Sequence, residues 1–283
     1  MVKEPRAIDA WCNIFTPEGM KKNFADVEEI RFAFKLFGRE DRLKGKPPGE
    51  FLAEMDALGV EKVCVPTFKV RQFQGPMVQD AQTSEVAPLV EKYPDRVVGL
   101  CGINPFKKMD AVRELEDAVE NHGFKGAHIH PYGYGLPVND AAYYPVYAKC
   151  VELDVPVEIQ IGHSAEQMPS ACGRPLLLDD VAIYFPELRI VAAHTGWPWV
   201  EELVAMAWKH PNVYIGTSAH APKYWDAKLV RFINSRGQNK VLYGTDFPVL
   251  DHRETLEQIE KLGLKPEVKR KLLRENAKRV FKL

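Results

Sequence analysis

The chain has few cysteines, and their spacing matches no metal or disulfide motif. The five, an odd number among 283 residues, are Cys12, Cys64, Cys101, Cys150 and Cys172. Disulfide frameworks and thiolate zinc sites both need paired, regularly spaced cysteines. The pattern therefore argues against both and predicts free thiols in a reducing compartment, the cytoplasm.

The chain also lacks an excess of charge and long apolar segments. Lys and Arg total 38 against 39 Asp and Glu, so the formal net charge is −1. Without an excess of positive charge, no overall field attracts nucleic acid or anionic lipid. No run of about 20 apolar residues occurs, and the opening MVKEPRAIDAW has no apolar core of a secretory signal. We expect a cytoplasmic protein whose partner is a small-molecule substrate, not nucleic acid or a membrane.

A glycine-rich phosphate turn is missing as well. After the first apolar strand the sequence reads CNIFTPEGM. A doubly wound nucleotide-binding sheet needs several glycines at this point, because its backbone approaches the phosphates closely. This observation argues against a nucleotide-binding fold.

What is present is a regular alternation of short β-branched apolar runs with segments of helical periodicity. Such alternation is typical of βα units around a parallel sheet. Eight runs, and a length that one barrel of about 250 residues plus loops would fill, predict a single TIM-type (β/α)₈ barrel domain over residues 1–283. The predicted strands are 6–13, 62–67, 96–103, 126–130, 155–161, 189–194, 213–217 and 241–246.

One stretch, residues 16–49, is too long for an ordinary βα loop. It contains MKKNFADVEEIRFAFKLFGRED. We predict a helical insertion after the first strand, with one or two helices over the barrel mouth.

Chemically versatile side chains gather where the predicted strands end. In a parallel barrel the functional groups come from the carboxyl ends of the strands. His194 ends the sixth predicted strand and Asp246 the eighth, so the two can meet as an acid–base pair or in a metal site. Five of the eight histidines occupy such ends, namely His128, His130, His163, His194 and His220, although rim histidines can also simply satisfy polar groups. The other three, His122, His210 and His252, lie on helix ends or loops, where a solvated or capping role is expected.

Aromatic residues flank the same strand ends. Flat apolar walls suit a ring-shaped substrate, although aromatic side chains also pack helices onto strands. Arg174 follows the fifth strand by a loop and could either clamp a substrate carboxylate or form a surface salt bridge. The aromatic residues are Trp11, Tyr132, Tyr134, Trp197 and Trp199.

Five segments, taken in order, resemble the amidohydrolase-related family that includes aminocarboxymuconate semialdehyde decarboxylase and related aromatic-acid decarboxylases. They are KGAHIHPYGYGLP, YYPVYAKCVELDVPVEIQIGH, FPELRIVAAHTGWPW, HPNVYIGTSA and KVLYGTDFP. The resemblance extends over residues 58–283. The first strand matches the family only in its position along the chain. It implies a barrel fold, and it makes a homodimer an expectation because the family often forms dimers.

The resemblance also implies a divalent metal, usually zinc, held by an HxH pair on the first strand, a histidine on the fifth and an aspartate on the eighth. A sixth-strand histidine then works as acid or base. His194 and Asp246 match the last two roles, but the other three ligand positions hold Trp11, Asn13 and Gln160. An indole offers no lone pair and neutral amides replace imidazole poorly on zinc. We therefore expect that the usual metal site is lost.

Three functions remain open. In the first, the barrel works without a cofactor, and His194 and Asp246 form the catalytic acid–base pair. Its substrate-binding residues are then Trp11, Asn13, His128, His130, Gln160, His163, Arg174, Trp197 and His220. In the second, zinc or another divalent metal has moved to a site made of His128, His130, His194 and Asp246. In the third, the barrel is a non-catalytic binding module.

Within the enzyme hypotheses, loss of the metal affects which reaction is expected. Amide hydrolysis is demanding without a metal that acidifies water, whereas decarboxylation, lactone hydrolysis or hydration can use histidine and aspartate. The sequence therefore predicts a decarboxylase (lyase) or a lactone-type hydrolase that acts on a small cyclic or aromatic carboxylated compound.

Overall fold

A computed structural model describes residues 6–283, whose strands form two sheets. Numbered along the chain, the strands in this range are β1 (Ala7–Asp9), β2 (Val60–Pro66), β3 (Lys69–Arg71), β4 (Met77–Asp80), β5 (Val97–Gly102), β6 (Ala127–Ile129), β7 (Val157–Gln160), β8 (Ile190–Ala193), β9 (Val213–Gly216) and β10 (Val241–Leu242). Eight of them form one parallel sheet in the order β1-β2-β5-β6-β7-β8-β9-β10, and β3 pairs with β4 antiparallel.

The parallel sheet closes on itself. Cys12, beyond the end of β1, forms a parallel bridge with Phe247, which follows β10. The backbone N–H of Ala10 donates to the carbonyl of Tyr243 at 2.9 Å, so the first and last strands are joined directly. The predicted (β/α)₈ barrel is confirmed.

Helices follow the strands around the barrel. They are α1 (Pro17–Met20), α2 (Glu28–Leu36), α3 (Pro48–Leu58), α4 (Thr83–Lys92), α5 (Met109–Glu120), α6 (Tyr144–Glu152), α7 (Leu178–Tyr184), α8 (Val200–Lys209), α9 (Ala227–Ile233), α10 (His252–Glu260), α11 (Pro266–Arg270) and α12 (Asn276–Phe281). Two π-helical segments, Lys21–Ala25 and Lys271–Glu275, continue α1 and α11. Within residues 6–283, none of the helices combines the length and the apolar character that a membrane crossing requires.

Local sequence explains several helix boundaries. Helix α10 begins where the Asp251 carboxylate accepts hydrogen bonds from the first backbone N–H groups of the helix. Helices α4, α7 and α8 each end two residues before a proline, which cannot continue a helix. These prolines stand where each helix gives way to the next strand.

The insertion predicted between residues 16 and 49 is helical and covers the mouth of the barrel. Helix α1 with its π-helical extension forms its first part, and α2 forms the second. Phe24, Ile30 and Phe34 from these helices form part of the roof of a cavity over the barrel. The predicted helical insertion is confirmed.

Two details of the sheet differ from the sequence prediction. The hairpin β3–β4 was not predicted, because its strands are three and four residues long and carry little apolar alternation. The predicted strands 6–13 and 241–246 are also longer than β1 and β10. Beyond β10 the chain bends, and Asp246 has a left-handed φ of 59° that no strand residue adopts.

Asp9, at the end of β1, connects the first strand to the last. Its Oδ1 accepts hydrogen bonds from the backbone N–H groups of Trp11 (3.0 Å) and Thr245 (2.9 Å). Its Oδ2 accepts from Thr245 Oγ1 at 2.5 Å and lies 2.8 Å from His252 Nε2. Both Asp9 and His252 are buried. His252 is thus part of the barrel closure, which corrects the solvated or capping role expected for it.

Candidate active site

A cavity of about 80 Å³ lies between the barrel mouth and the insertion helices. At roughly 10–15 Å³ for each water molecule, it has room for about six waters or a small organic molecule. Six of the predicted site residues line it, namely Asn13, Gln160, His163, His194, His220 and Asp246. The rest of its wall is formed by Phe24, Ile30, Ala33, Phe34, Phe37, Phe68, Ala165, Glu166, Ala219 and Val249.

Asp246 is the carboxyl group expected at the eighth strand. Its Oδ1 accepts a hydrogen bond from Asn13 Nδ2 at 2.8 Å. Burial raises the pKa of the Asp246 carboxyl to about 8, and the charge of Glu166 acts in the same direction, while the hydrogen bond from Asn13 opposes the change. Asp246 is therefore mostly protonated at neutral pH and can donate a proton.

His194 directly follows β8 and shares the cavity with Asp246. Its Nδ1 lies 3.0 Å from Ser218 Oγ, a hydrogen bond that fixes the ring. Burial lowers the pKa of His194 to about 3, and the neighbouring charge of His220 also lowers it. The imidazole is therefore neutral at pH 7, and its Nε2, which has no hydrogen-bond partner among residues 6–283, can accept a proton.

The backbone around these two residues is strained. Four residues other than glycine at the mouth have left-handed φ values, namely His194 (64°), Thr195 (57°), Ala219 (65°) and Asp246 (59°). Such conformations cost about 1–3 kcal/mol each and tend to cluster where a fold must orient functional side chains. The clustering supports the mouth as the functional region.

Trp11 lies behind the cavity wall instead of stacking on a substrate ring. Its side chain is buried, and its indole packs edge-on against His128 and His194, with ring centroids 4.9 and 4.7 Å apart. The indole Nε1 donates to Asn13 Oδ1 at 3.2 Å. Because this bond occupies the amide oxygen, the amide nitrogen of Asn13 is directed at Asp246. Trp11 thus contacts Asn13 and does not itself line the cavity.

His128 is also outside the cavity. It is buried beneath Gln160, whose Nε2 lies 3.4 Å from His128 Nε2. Burial lowers the pKa of His128 to about 3. The neutral ring lies behind the Gln160 amide and does not itself line the cavity.

Glu166, a cavity residue that the sequence analysis missed, pairs with the buried His130. Its Oε1 lies 3.6 Å from His130 Nε2, and its Oε2 accepts a hydrogen bond from Ser164 Oγ at 2.6 Å. Although burial opposes ionisation, the nearby His130 and the hydrogen bond from Ser164 lower the pKa of Glu166 to about 2. Its place in the loop after β7, shared with His163, is the sequence signal that could have identified it. His130 acts through Glu166 and does not itself line the cavity.

His163 and His220 lie side by side at the cavity edge. Their ring centroids are 6.3 Å apart, and the half-exposed Trp197 packs against both rings at 4.7 and 6.0 Å. Trp197 itself does not line the cavity. Two of the predicted site histidines are therefore brought together, with the indole as an outer wall.

Arg174 does not reach the cavity. Its guanidinium donates to both carboxylate oxygens of Glu202, at 2.7–3.1 Å, on the surface. Of the two predicted roles, substrate clamp and surface salt bridge, the structure contains the salt bridge. Arg174 does not reach the cavity because its loop runs outward beside α8.

The remaining aromatic and histidine residues have structural positions. The hydroxyl groups of Tyr132 and Tyr134 donate to the backbone carbonyls of Gly162 and Lys69. Trp199 lies within 5.9 Å of the Arg174 guanidinium and outside the cavity. Two further histidines face carboxylates near helix ends, His122 with Asp117 and His210 with Asp179, and neither lines the cavity.

The described side chains at the mouth form no cluster of zinc or manganese ligands. Within residues 6–283, no three His, Cys, Asp or Glu side chains lie close enough together to hold one ion. The relocated metal site of His128, His130, His194 and Asp246 is therefore not assembled. Trp11 packs against the rings of His128 and His194, and His130 pairs with Glu166. At the family's ligand positions, indole and amide groups replace imidazole.

Solved structures of similar fold cover the whole chain. An uncharacterised TIM-barrel protein of Bordetella bronchiseptica is 23% identical, with a TM-score of 0.78 and 97% of each chain covered. A 5-carboxyvanillate decarboxylase of Novosphingobium aromaticivorans, complexed with manganese and 4-hydroxy-3-methoxy-5-nitrobenzoic acid, is 19% identical, with a TM-score of 0.73 and coverage of 99% of this chain and 96% of that chain. At these identities the likeness shows the fold alone.

Sequence comparison identifies the family. A curated relative, the 2-keto-4-carboxy-3-hexenedioate hydratase of a Sphingobium species, is 30% identical over 130 residues, which span 39% of this chain and 38% of the relative's length. The family model described as Amidohydrolase matches residues 8–283. Because that match includes every barrel strand from β1 onward and both His194 and Asp246, this chain belongs to the amidohydrolase family of enzymes.

Proposed function

We propose that the protein is a lyase acting on a small carboxylated aromatic or conjugated compound, with Asp246 as general acid and His194 as general base. The proposal rests on one observation: the pKa values of Asp246 and His194, which share one cavity, are shifted in opposite directions. Burial raises the pKa of Asp246 to about 8 and lowers the pKa of His194 to about 3. At neutral pH the cavity thus offers one acid that holds its proton and one base that is free of it.

Decarboxylation would use this pair as follows. Asp246 transfers its proton to the ring carbon that carries the carboxylate. The bond between that carbon and the carboxylate then breaks, its electron pair restores the ring, and CO₂ leaves. His194 Nε2 accepts a hydrogen bond from a neighbouring ring hydroxyl, which makes the ring carbon more basic. Solvent returns a proton to Asp246.

Hydration is the second candidate, and the curated hydratase relative supports it. Here His194 takes a proton from water as the water oxygen bonds to one carbon of a conjugated double bond. The electron pair of that double bond moves to the other carbon, which receives the proton of Asp246. The same base would serve a lactone-type hydrolase. All three reactions need an acid and a base that face one small compound.

The walls of the cavity suit a small flat compound with few polar groups. Phe24, Phe34 and Phe68 supply apolar surface, and the amide of Gln160 offers a polar contact beside His194. Asn13 aligns the Asp246 carboxyl through the 2.8 Å hydrogen bond. In this proposal Trp11, His128 and His130 act by holding Asn13, Gln160 and Glu166 in place.

The proposed reaction assigns each proton transfer to a protein group. The side chains at three positions support a reaction without a metal. The family resemblance implies imidazole ligands there, but this chain has Trp11, Asn13 and Gln160, which supply hydrogen-bond donors or neutral amides. The Asn13 amide donor lies next to the carboxyl that would otherwise face a cation.

A substrate screen tests the proposal. Purified protein is mixed with carboxylated phenols and with unsaturated dicarboxylates, and turnover is followed by NMR and by CO₂ release. CO₂ release from a phenol acid supports decarboxylation, whereas loss of a double bond without CO₂ supports hydration. D246N and H194Q should both be inactive, and D95N, which changes an exposed surface carboxylate, serves as the control. Compounds that bind without any turnover would contradict the proposal and favour a binding module.

A further inference from the structure

Among residues 6–283, neither lysine nor arginine lines the cavity. Of the lining side chains in this described part of the chain, those that can offer positive charge to a carboxylate are the imidazoles of His163, His194 and His220. His194 is held by Ser218 and faces Asp246 across the site described above. This leaves His163 and His220, two imidazoles for which the proposed reaction has no use.

The geometry of this pair suits a single carboxylate. The ring centroids are 6.3 Å apart, a spacing that allows one carboxylate between the rings with an oxygen toward each. His163 Nδ1 lies 2.9 Å from the carbonyl of Ser164, so that nitrogen carries the hydrogen and the ring is fixed. The His220 ring has no hydrogen-bond partner among residues 6–283. Trp197 closes the outer side of both rings.

We propose that His163 and His220 together bind the carboxylate of the substrate and that the pair takes up a proton when the anion enters. This inference rests on the proposed function in that it concerns the same cavity. His163 and His220 would then bind the substrate carboxylate, the role that the sequence suggested for Arg174. Arg174 itself is paired with Glu202 on the surface. The substrate class is thus an organic carboxylate with an apolar body small enough for the phenylalanine-lined cavity.

The charges around the pair explain why a proton would accompany the anion. Burial lowers the pKa of His220 to about 4, and the charge of His163 lowers it further. The other titratable groups of the cavity are His194, Asp246 and Glu166. His194 and Asp246 are neutral at pH 7, and Glu166 is paired with His130. A carboxylate between the rings removes the mutual repulsion and favours the charged imidazole, so protonation and binding are coupled.

Calorimetry with the full-length protein tests the inference. The probes are benzoate, 3-hydroxybenzoate and 3-methoxybenzoate, with the matching neutral benzamides as controls. Titrations in phosphate and in Tris, which differ in ionisation enthalpy, report the number of protons taken up. At pH 7 we expect uptake of about one proton for each acid bound, and affinity that falls about tenfold for each pH unit above 7. The benzamides should bind at least about tenfold more weakly than the acids.

Variants complete the test. H163Q and H220Q should each weaken binding of the acids about tenfold or more and leave the benzamides unaffected, while H122Q, which changes a surface histidine, should bind like the wild type. Thermal unfolding confirms that each variant is folded. Equal binding of acids and amides, binding without proton uptake, or no binding of any acid would overturn the inference. D246N separates this proposal from the proposed reaction, because it should bind the acids normally even where turnover is lost.

Discussion

Asn13 Nδ2 donates a hydrogen bond to Asp246 Oδ1 at 2.8 Å, across the seam where the first and last strands of the barrel meet. The two residues are 233 positions apart in the chain. An uncharged amide donor thus holds the carboxyl that follows the eighth barrel strand, and it favours the ionised form. Burial has the larger effect, so Asp246 keeps its proton at neutral pH.

Substitution of the proposed acid and base should abolish activity without unfolding the protein. D246N and H194A are each expected to lower kcat/KM by about 10²–10⁴-fold, because each removes one proton-transfer group. Steady-state kinetics on the substrate found in the screen measures this, with circular dichroism as the folding check. Near-normal activity in either variant would rule out the proposed pair. H122Q is the matched control.

The pH profile should report the Asp246 carboxyl. Since the protonated form is the acid and its pKa is about 8, kcat at saturating substrate should fall as the pH rises through about 8. The hydrogen bond from Asn13 stabilises the ionised form, so its loss in N13L should move this limb to higher pH. A profile that N13L leaves unchanged would show that another group titrates.

Because Asp246 is neutral in the folded protein, its replacement in D246N should make the protein more stable than the wild type at alkaline pH. In the unfolded chain the carboxyl ionises above its ordinary pKa of 3.8, whereas in the fold it stays protonated up to about 8. The wild type binds a proton more tightly when folded, so it loses stability between these two values as the pH rises, and D246N does not. We expect D246N to gain several kcal/mol, at most about 6, in the free energy of unfolding at pH 9 and almost nothing at pH 4. Urea unfolding at both pH values measures the gain, and a gain that is equal at both would contradict the assignment.

Metal removal should leave the proposed activity intact. After dialysis against a chelator, we expect activity within about twofold of the untreated protein, since the acid and base are side chains. Elemental analysis should find far less than one zinc or manganese per chain. Conversely, W11H/N13H/Q160H returns imidazoles to the family's ligand positions and should bind about one zinc ion. Loss of activity on chelation, with recovery on adding manganese, would refute the metal-free reaction.

The Asp9 cluster should be a major source of stability. D9N replaces a buried carboxylate that accepts from Trp11, Thr245 and His252, so unmatched donors remain in the core. We expect a loss of about 2–4 kcal/mol in the free energy of unfolding. Urea unfolding measures it, and T245V, which removes one of these bonds, should lose less. An unchanged midpoint would mean that Asp9 does not stabilise the barrel closure.

Much of the fold could be predicted from the sequence because its signals are local and repeated. Apolar strands, helical periodicity and proline joints each need only a few neighbouring residues to be recognised. The barrel then brings every strand end to one face, which is why His194 and Asp246 could be expected near each other. The hairpin β3–β4 was missed because its short strands have no comparable periodic signal.

The orientation of individual side chains could not be predicted in this way. Trp11 and Arg174 both lie near strand ends, yet one is packed behind Asn13 and the other is turned toward Glu202 on the surface. Glu166 was missed because it enters the cavity from a loop, where residue spacing does not define direction. Loop geometry depends on contacts with the rest of the chain.

The sequence by itself determined the barrel, the helical insertion and the set of residues at the strand ends, since these follow from hydrophobic periodicity and from the topology of parallel strands. Only the tertiary structure decided which of those residues enter the cavity and which of them carry protons. Protonation depends on burial and on charges from distant parts of the chain, such as Glu166 beside Asp246, and these neighbours exist only once the barrel has closed.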